Sequence, residues 1–415
     1  MSRDTDICLA MLTSLSVVLA VLVVLLAYVL QYPHPTIDWD NCIIPKAKEM
    51  MGTTFHLDND NVDATKKPLS GLTVVVTGAT SGIGMGLTQT LIRMGATVVA
   101  MGRSPSKLEK LQQSLDDPNK ERLFKITVEL SDFASVREAA DRIPEVTGGS
   151  IDVLVNNAGI HYNNGFLGQR TPTTKSGHDT SFAINYMSHF ILTERMMPLL
   201  KNSTKPHPAV VQISSSFHVG VDGSELRPET INGMTTTTTM PLAARPGGLE
   251  GLWRDQRAYA NSKLAQILHS RALQRRNHQT RVRFVSVCPA WVATNIAGNE
   301  WSPPYLLMQL FGFPVMGWGI SSVLQAMLDT RATGDHFVNA ALSDFRGFVP
   351  DFLFRSWVYE WGIRDTFAQL FATVLIGVQK FGPMVGTALS SVESYDENLQ
   401  EALYEWTYKE VSEYL

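Results

Sequence analysis

Tyr259 and Lys263 lie four residues apart in a stretch of good helix formers, RAYANSKLAQILHSRALQ. At this spacing a helix places the phenol and the ammonium on one face. A tyrosine that acts as an acid or base near neutral pH needs a pKa below its usual value of about 10. A neighbouring ammonium lowers that pKa because it stabilises the phenolate. The pair therefore indicates acid/base chemistry, although a lone Tyr-x-x-x-Lys is also common on protein surfaces.

A glycine-rich segment, TGATSGIG, runs from Thr77 to Gly84, directly after an apolar run and before the helical stretch GLTQTLIRMG. Gly78, Gly82 and Gly84 permit a tight turn and allow the backbone to approach a pyrophosphate, which would lie at the helix N-terminus. Three glycines alone would also suit an ordinary turn. The preceding strand and following helix favour a dinucleotide site.

The residue that follows the second apolar run distinguishes a site for NAD from a site for NADP. A site for NAD usually has an acidic residue there for the ribose 2′-hydroxyl, whereas the 2′-phosphate of NADP requires a cation. Here position 102 is Gly and position 103 is Arg. Because a guanidinium binds phosphate through two hydrogen bonds, Arg103 favours NADP(H) over NAD(H).

Seven short apolar runs alternate with helical stretches and would position the glycine-rich segment, Arg103, Tyr259 and Lys263. They lack polar alternation, which is typical of strands covered on both faces. Strand–helix alternation predicts an α/β fold with a doubly wound parallel sheet, the Rossmann fold. The runs are 73–78, 96–102, 124–130, 152–159, 209–215, 283–290 and 336–342.

The N-terminus contains 24 consecutive uncharged residues, Ile7 to Leu30. As a helix this segment is about 36 Å long, enough to cross a hydrocarbon core of about 30 Å. The apolar region of a signal peptide would be shorter and followed by small residues at a cleavage site. We therefore predict an uncleaved transmembrane anchor over residues 1–31.

The composition excludes several classes of protein. The chain of 415 residues is 44% hydrophobic and 18% charged, which excludes a disordered chain. Its net charge of −4 indicates no nucleic-acid partner. The three cysteines, Cys8, Cys42 and Cys288, have no metal-site spacing, so neither a metal site nor a disulfide framework is expected.

Together these motifs resemble the short-chain dehydrogenase/reductase family over about residues 70–345. The sequences INYMSHFILT at 184–193, ISSSFH at 213–218 and the tail at 394–415 are similar to its retinol-dehydrogenase-like branch. The residues that carry the family resemblance occur in the family's order: TGATSGIG at 77–84, NNAG at 156–159, Asn185, the serines at 214–215, Tyr259 and Lys263.

The resemblance implies four catalytic residues. Tyr259 would exchange a proton with the carbonyl or alcohol oxygen, and Ser215 would polarise that oxygen. Lys263 would lower the pKa of Tyr259 and contact the nicotinamide ribose, and Asn185 would hold a water in the proton relay. The resemblance also implies an NADP(H) site formed by Gly78, Ser81, Gly82, Ile83, Gly84, Arg103, Asn156, Ala158, Gly159, Tyr259, Lys263, Pro289 and Thr294.

Some features depart from the family pattern without removing a chemical group. The usual Pro-Gly is Pro289-Ala290, and Glu129 stands where an Asp near the adenine is common. The interval from Ser215 to Tyr259 is long. We predict an insertion at about 219–256 that loops away from the site.

The chain is thus predicted to comprise an anchor (1–31), a juxtamembrane linker (32–69), the dehydrogenase domain (70–345), and an apolar insertion with a helical C-terminal extension (346–415). The aromatic and aliphatic residues at 296–320 favour a lipophilic substrate, core packing being the alternative. The expected partners are this substrate and membrane lipid, and a homodimer is compatible with the sequence.

We expect an endoplasmic-reticulum protein with a cytosolic catalytic domain. Two other functions remain open: a 3-ketoacyl or 3-ketosphinganine reductase, and a non-catalytic membrane-tethered binding protein.

Overall fold

The computed structural model describes nine stretches of the chain between residues 67 and 415. The described residues are 67–161, 173–215, 217–218, 221–235, 248–289, 316–328, 337–339, 386–388 and 390–415.

Within these residues a single eight-stranded sheet forms the centre of the fold, in the order β3-β2-β1-β4-β5-β6-β7-β8. Strands β1 to β7 are parallel, and β8 is antiparallel to β7. The strands are β1 Thr73–Thr77, β2 Thr97–Gly102, β3 Leu123–Thr127, β4 Val153–Asn156, β5 Ala209–Ile213, β6 Arg283–Cys288, β7 Phe337–Asn339 and β8 Gly386–Ala388.

Helices cover both faces of the sheet. They are α1 Gly82–Arg93, α2 Pro105–Gln113, α3 Phe133–Thr147, α4 Ser188–Lys201, α5 Pro228–Thr235, α6 Gly248–Arg276, α7 Met316–Leu328 and α8 Glu397–Glu410. A π-helical turn, Ala183–Met187, immediately precedes α4.

Alternate residues of strands β1 to β6 belong to two separate apolar cores. Val75 of β1 packs in the core that includes side chains of α3, α4, α6 and α8. Val74 and Val76 belong to the other core, with side chains of α1, α2 and α7. Because both faces are buried, the strands have no polar side, which explains their uninterrupted apolar sequence.

The predicted doubly wound parallel sheet is confirmed, and each of the seven apolar runs overlaps one of strands β1 to β7. The eighth strand was not predicted. It has only three residues, Gly386–Ala388, and is defined by its pairing with β7.

Helix α8 of the C-terminal extension packs on α6 and α4. The Tyr186 hydroxyl lies 2.8 Å from Thr407 Oγ1, and the Tyr404 hydroxyl donates to Glu194 Oε1 at 3.0 Å. Arg276 pairs with Glu401 and Glu405. These contacts join the end of the chain to the helix that bears the candidate catalytic pair.

The predicted anchor at 1–31 lies outside the described residues, as does all but the last three residues of the linker. Among the described residues, no helix combines the length and the apolar character needed to cross a bilayer.

Candidate active site

The end of β5 and the middle of α6 bring three predicted catalytic side chains together. Tyr259 and Lys263 are buried on α6, with 6% and 2% of their surfaces exposed. The Tyr259 hydroxyl shares a hydrogen bond with the Ser215 side chain. Ser214 donates to the Lys263 carbonyl at 2.8 Å and so attaches the loop after β5 to α6. This contact places Ser215 opposite the phenol.

Burial dominates the protonation of this pair. It raises the pKa of Tyr259 well above its ordinary value, against a smaller lowering by the hydrogen bond with Ser215. Burial also lowers the pKa of Lys263 to about 7. Desolvation disfavours the charged form of each group. The sequence-based expectation that Lys263 lowers the pKa of Tyr259 stays a prediction.

Asn185 lies in the π-helical turn and binds the chain that follows β4. Its Oδ1 accepts the Ile160 backbone N–H at 2.8 Å, and its Nδ2 donates to the Ile160 carbonyl at 3.0 Å and to Ser262 Oγ at 2.9 Å. Both amide hydrogens thus have protein partners. The predicted role of Asn185 as the holder of a relay water stays a prediction.

Two further acceptors surround the Lys263 ammonium. Lys263 Nζ donates to the Ile213 carbonyl at 2.7 Å and to Gln266 Oε1 at 3.0 Å. Gln266 was not singled out in the sequence. Its position three residues after Lys263 and seven after Tyr259 places all three on one helical face, which was the available signal.

The glycine-rich turn after β1 fits a pyrophosphate. Gly78 has a φ of +66°, and a Cβ there would come 3.0 Å from the Ala158 Cα. A Cβ on Gly84 would overlap the Gly78 carbonyl and the Asn157 side chain. The first turn of α1 contains no acidic residue, and Ser81 at its N-cap makes no capping hydrogen bond through its side chain. The helix N-terminus therefore suits an anion.

Thr77 joins this turn to the loop after β4, at the point where the strand order reverses. Its hydroxyl accepts the backbone N–H groups of Asn157 at 2.9 Å and Ala158 at 3.0 Å. It also lies 2.9 Å from Nε2 of buried His189. Such a switch point between β1 and β4 is the usual position of a dinucleotide cleft.

The other predicted cofactor residues differ in accessibility. Ile83 is buried in the first turn of α1, and Gly159 is half-buried after β4. Asn156 is fully buried and its Nδ2 donates to Thr193 Oγ1 at 2.9 Å, which gives it a structural contact. Pro289 is buried at the end of β6, and Thr294 lies outside the described residues.

Arg103 follows β2, beside the glycine-rich turn. Its side chain is 81% exposed, and its Nε lies 4.0 Å from Glu129 Oε2. Glu129 is held in place by Ser131, whose backbone N–H and hydroxyl donate to Oε1 at 3.1 and 2.7 Å. An exposed guanidinium here can donate hydrogen bonds to a 2′-phosphate, whereas the Glu129 carboxylate would repel that phosphate.

Two aromatic rings flank the Tyr259 phenol. The His161 ring stacks on it with centroids 4.4 Å apart, and Phe217 meets it edge-on at 5.6 Å. No local spacing predicts this stack, because His161 and Tyr259 are far apart along the chain.

A family model described as short chain dehydrogenase matches residues 72–224. Retinol dehydrogenase 12 of Mus musculus is 30% identical over 254 residues, which cover 60% of this chain and 69% of that protein. Retinol dehydrogenase 14 of Mus musculus is 30% identical over 256 residues, or 59% and 67% of the two chains. The chain belongs to the short-chain dehydrogenase/reductase family. Within this family it falls in the retinol-dehydrogenase-like branch.

Two further proteins resemble the chain, one in sequence and one in structure. Oxidoreductase calI of Penicillium decumbens is 31% identical over 221 residues, and the match spans 57% of that protein. The crystal structure of an uncharacterized protein from Mycobacterium paratuberculosis superposes with a TM-score of 0.54 at 21% identity, covering 84% of this chain and 96% of that one. This structural likeness shows that the two chains share a fold.

Proposed function

We propose that this protein is a membrane-anchored, NADP(H)-dependent oxidoreductase that interconverts an alcohol and a carbonyl on a lipophilic substrate. One observation carries the proposal: the Tyr259 phenol shares a hydrogen bond with Ser215, with Lys263 one helical turn away. Two hydroxyl groups this close together can both donate hydrogen bonds to a single substrate oxygen, which is the arrangement that carbonyl reduction requires.

Bound NADPH would supply the hydride. In the direction of reduction, Tyr259 donates its proton to the carbonyl oxygen as negative charge develops there. Ser215 donates a hydrogen bond to the same oxygen and stabilises that charge. Lys263, held by Ile213 and Gln266, lies 5.6 Å from the centre of the Tyr259 ring and in its protonated form stabilises the phenolate that remains.

The preference for NADP(H) rests on Arg103 and on the glycine at position 102. The exposed guanidinium offers a bidentate site for the 2′-phosphate. The pyrophosphate would lie on the N-terminus of α1, against Gly78, Gly82 and Gly84, with Ser81 beside it.

A lipophilic substrate is supported by the aromatic rings of His161 and Phe217 around Tyr259 and by the apolar sequence at 296–320. The names of the two retinol dehydrogenases point to the same substrate class. The apolar segment Ile7 to Leu30 would hold the protein at the membrane that contains such a substrate, with the catalytic domain in the cytosol.

The test is NADPH oxidation by full-length, detergent-solubilised protein with a panel of retinals, ketosteroids and ketolipids. Tyr259→Phe should lower kcat by about 10²- to 10⁴-fold while NADPH still binds, because only the acidic proton is lost. Tyr408→Phe, on the exposed tyrosine of α8, is the control and should retain full activity. Stoichiometric NADPH binding without turnover of any compound would instead favour a binding protein.

A further inference from the structure

We propose that Gln266 is a positioning residue that holds the Lys263 ammonium through a direct amide bridge to the Asn185 backbone. This inference rests on the proposed function for its catalytic consequence, whereas the bridge itself can be tested without turnover. Gln266 is fully buried on α6, and its side chain lies between Lys263 and the π-helical turn.

The hydrogen bonds determine how the Gln266 amide is oriented. A backbone carbonyl only accepts, so the contact at 2.8 Å between Gln266 and the Asn185 oxygen must involve the amide Nε2–H. Oε1 then faces Lys263 Nζ, which donates to it at 3.0 Å. An ammonium has no acceptor, so the opposite orientation would leave both contacts without a hydrogen bond.

The Asn185 carbonyl already has a second donor. His189 Nδ1 lies 2.9 Å from the same oxygen, so Gln266 and His189 occupy both of its lone pairs. The Asn185 side chain is occupied by Ile160 and Ser262. In this protein the Gln266 amide therefore links Lys263 directly to the Asn185 backbone, where the family resemblance implies a water.

The same reasoning extends the chain of contacts to the cofactor side. Because His189 Nδ1 donates to a carbonyl and burial lowers the pKa of His189 to about 4, the ring is neutral and Nε2 is an acceptor. The Thr77 hydroxyl then donates its one hydrogen to Nε2 at 2.9 Å, which is closer than the Val155 carbonyl at 3.4 Å, while it accepts from Asn157 and Ala158. Lys263 is thus connected through Gln266, Asn185 and His189 to the turn beside the cofactor cleft.

Two acceptors stabilise the charged form of Lys263 inside the protein, the Ile213 carbonyl and Gln266 Oε1. The titratable groups that face it are Tyr259 on its own helix, His189 on α4 and Cys288 on β6. Among the described residues none of these groups is a carboxylate, so the loss of Gln266 Oε1 would leave the ammonium with the Ile213 carbonyl as its hydrogen-bond acceptor there. We expect the pKa of Lys263 to fall by about one further unit in Gln266→Met.

The first experiment measures the unfolding midpoint of the full-length protein, without cofactor, from pH 5.5 to 9. The folded pKa of Lys263 lies below its unfolded value, so the unfolded chain binds more protons between these values and stability rises with pH. Gln266→Met moves the start of this rise to lower pH. Its unfolding midpoint should therefore lie further below that of wild type at pH 5.5 than at pH 9, by about 2 °C.

Gln400→Met is the matched control. Gln400 is also buried, its Oε1 accepts from the Arg275 cation, and its Nε2 donates to the Ser394 carbonyl at 2.7 Å. Arg275 lies twelve residues beyond Lys263 on α6, about 18 Å along the helix. Because arginine does not deprotonate, the destabilisation of Gln400→Met should be the same at every pH.

Gln266→Glu supplies a test of the opposite sign. A carboxylate beside Lys263 raises the pKa of the lysine, so this variant should be further below wild type at pH 9 than at pH 5.5. A pH-independent loss in both Gln266 variants, like that of Gln400→Met, would overturn the proposal.

Activity provides a second readout that separates the two proposals. With the carbonyl that wild type reduces fastest, Gln266→Met should lose kcat mainly at alkaline pH, where the alkaline limb moves down by about one unit. If Gln266→Met is active and the alkaline limb of its kcat–pH profile is unchanged from wild type, the proposed role of Gln266 is overturned. Absence of turnover in wild type contradicts the proposed function but leaves the stability experiment decisive for the bridge.

Discussion

The substitution Arg103→Ala tests the choice of cofactor with little effect on the fold. The side chain is 81% exposed, and its ion-pair partner within the described residues, Glu129, lies at 4.0 Å. Exposed ion pairs of this kind contribute about 0–1 kcal/mol, so the unfolding midpoint should hardly change. Any loss of catalytic efficiency can then be assigned to cofactor binding.

The magnitude follows from the contact that Arg103 would make. A charge-assisted bidentate contact with the 2′-phosphate contributes about 1.5–3 kcal/mol, which corresponds to roughly ten- to a hundredfold in KM for NADPH. NADH has a hydroxyl at that position, so its KM should change little. Glu129→Gln should lower the KM for NADPH, because it removes the negative charge that would oppose the phosphate.

The assay compares kcat/KM for NADPH and NADH at one carbonyl concentration, for wild type and each variant. Arg227→Ala is the control, since Arg227 is also an exposed arginine in an ion pair, with Asp396 at 3.3 Å. It should leave both cofactors unaffected. Equal losses for NADPH and NADH in Arg103→Ala, or a wild type that prefers NADH, would refute the assignment of Arg103 to the phosphate.

Three further predictions concern the turn, the buried histidines and the anchor. Gly84→Ala should raise the Kd for NADPH roughly tenfold or more, because the new Cβ overlaps the Gly78 carbonyl; fluorescence titration measures this. Burial lowers the pKa of His269 to about 3, so the unfolded chain binds one more proton than the folded protein below about pH 6.5. The stability of the fold therefore decreases as the pH is lowered from there. His269→Phe should show a smaller fall in unfolding midpoint between pH 7 and 4.5 than wild type, and an equal fall would contradict this. Deletion of residues 1–31 should make the protein extractable by alkaline carbonate. The full-length chain should resist this extraction, keep its N-terminus and carry no glycan at Asn202. A mature N-terminus near residue 31 would indicate a signal peptide.

Local sequence was sufficient to predict the central sheet and much of the site. Each strand of the parallel sheet is a contiguous apolar run, so its burial on both faces is readable from neighbouring residues. The turn after β1 and the pair on α6 are equally local, since Gly78, Gly84, Tyr259 and Lys263 owe their prediction to short spacings. The strand β8 lacked such a signal, because three residues, Gly386–Ala388, become a strand only through pairing with a distant segment.

The protonation of the site was decided by tertiary structure. The spacing of Tyr259 and Lys263 predicted an ammonium that lowers the phenol pKa, whereas burial by the surrounding elements opposes the charge on both groups. The partners of Asn185 and Gln266 were likewise beyond the sequence. Spacing along a helix determines which residues share a face, but desolvation and hydrogen bonding depend on atoms that other strands and helices bring within a few ångströms.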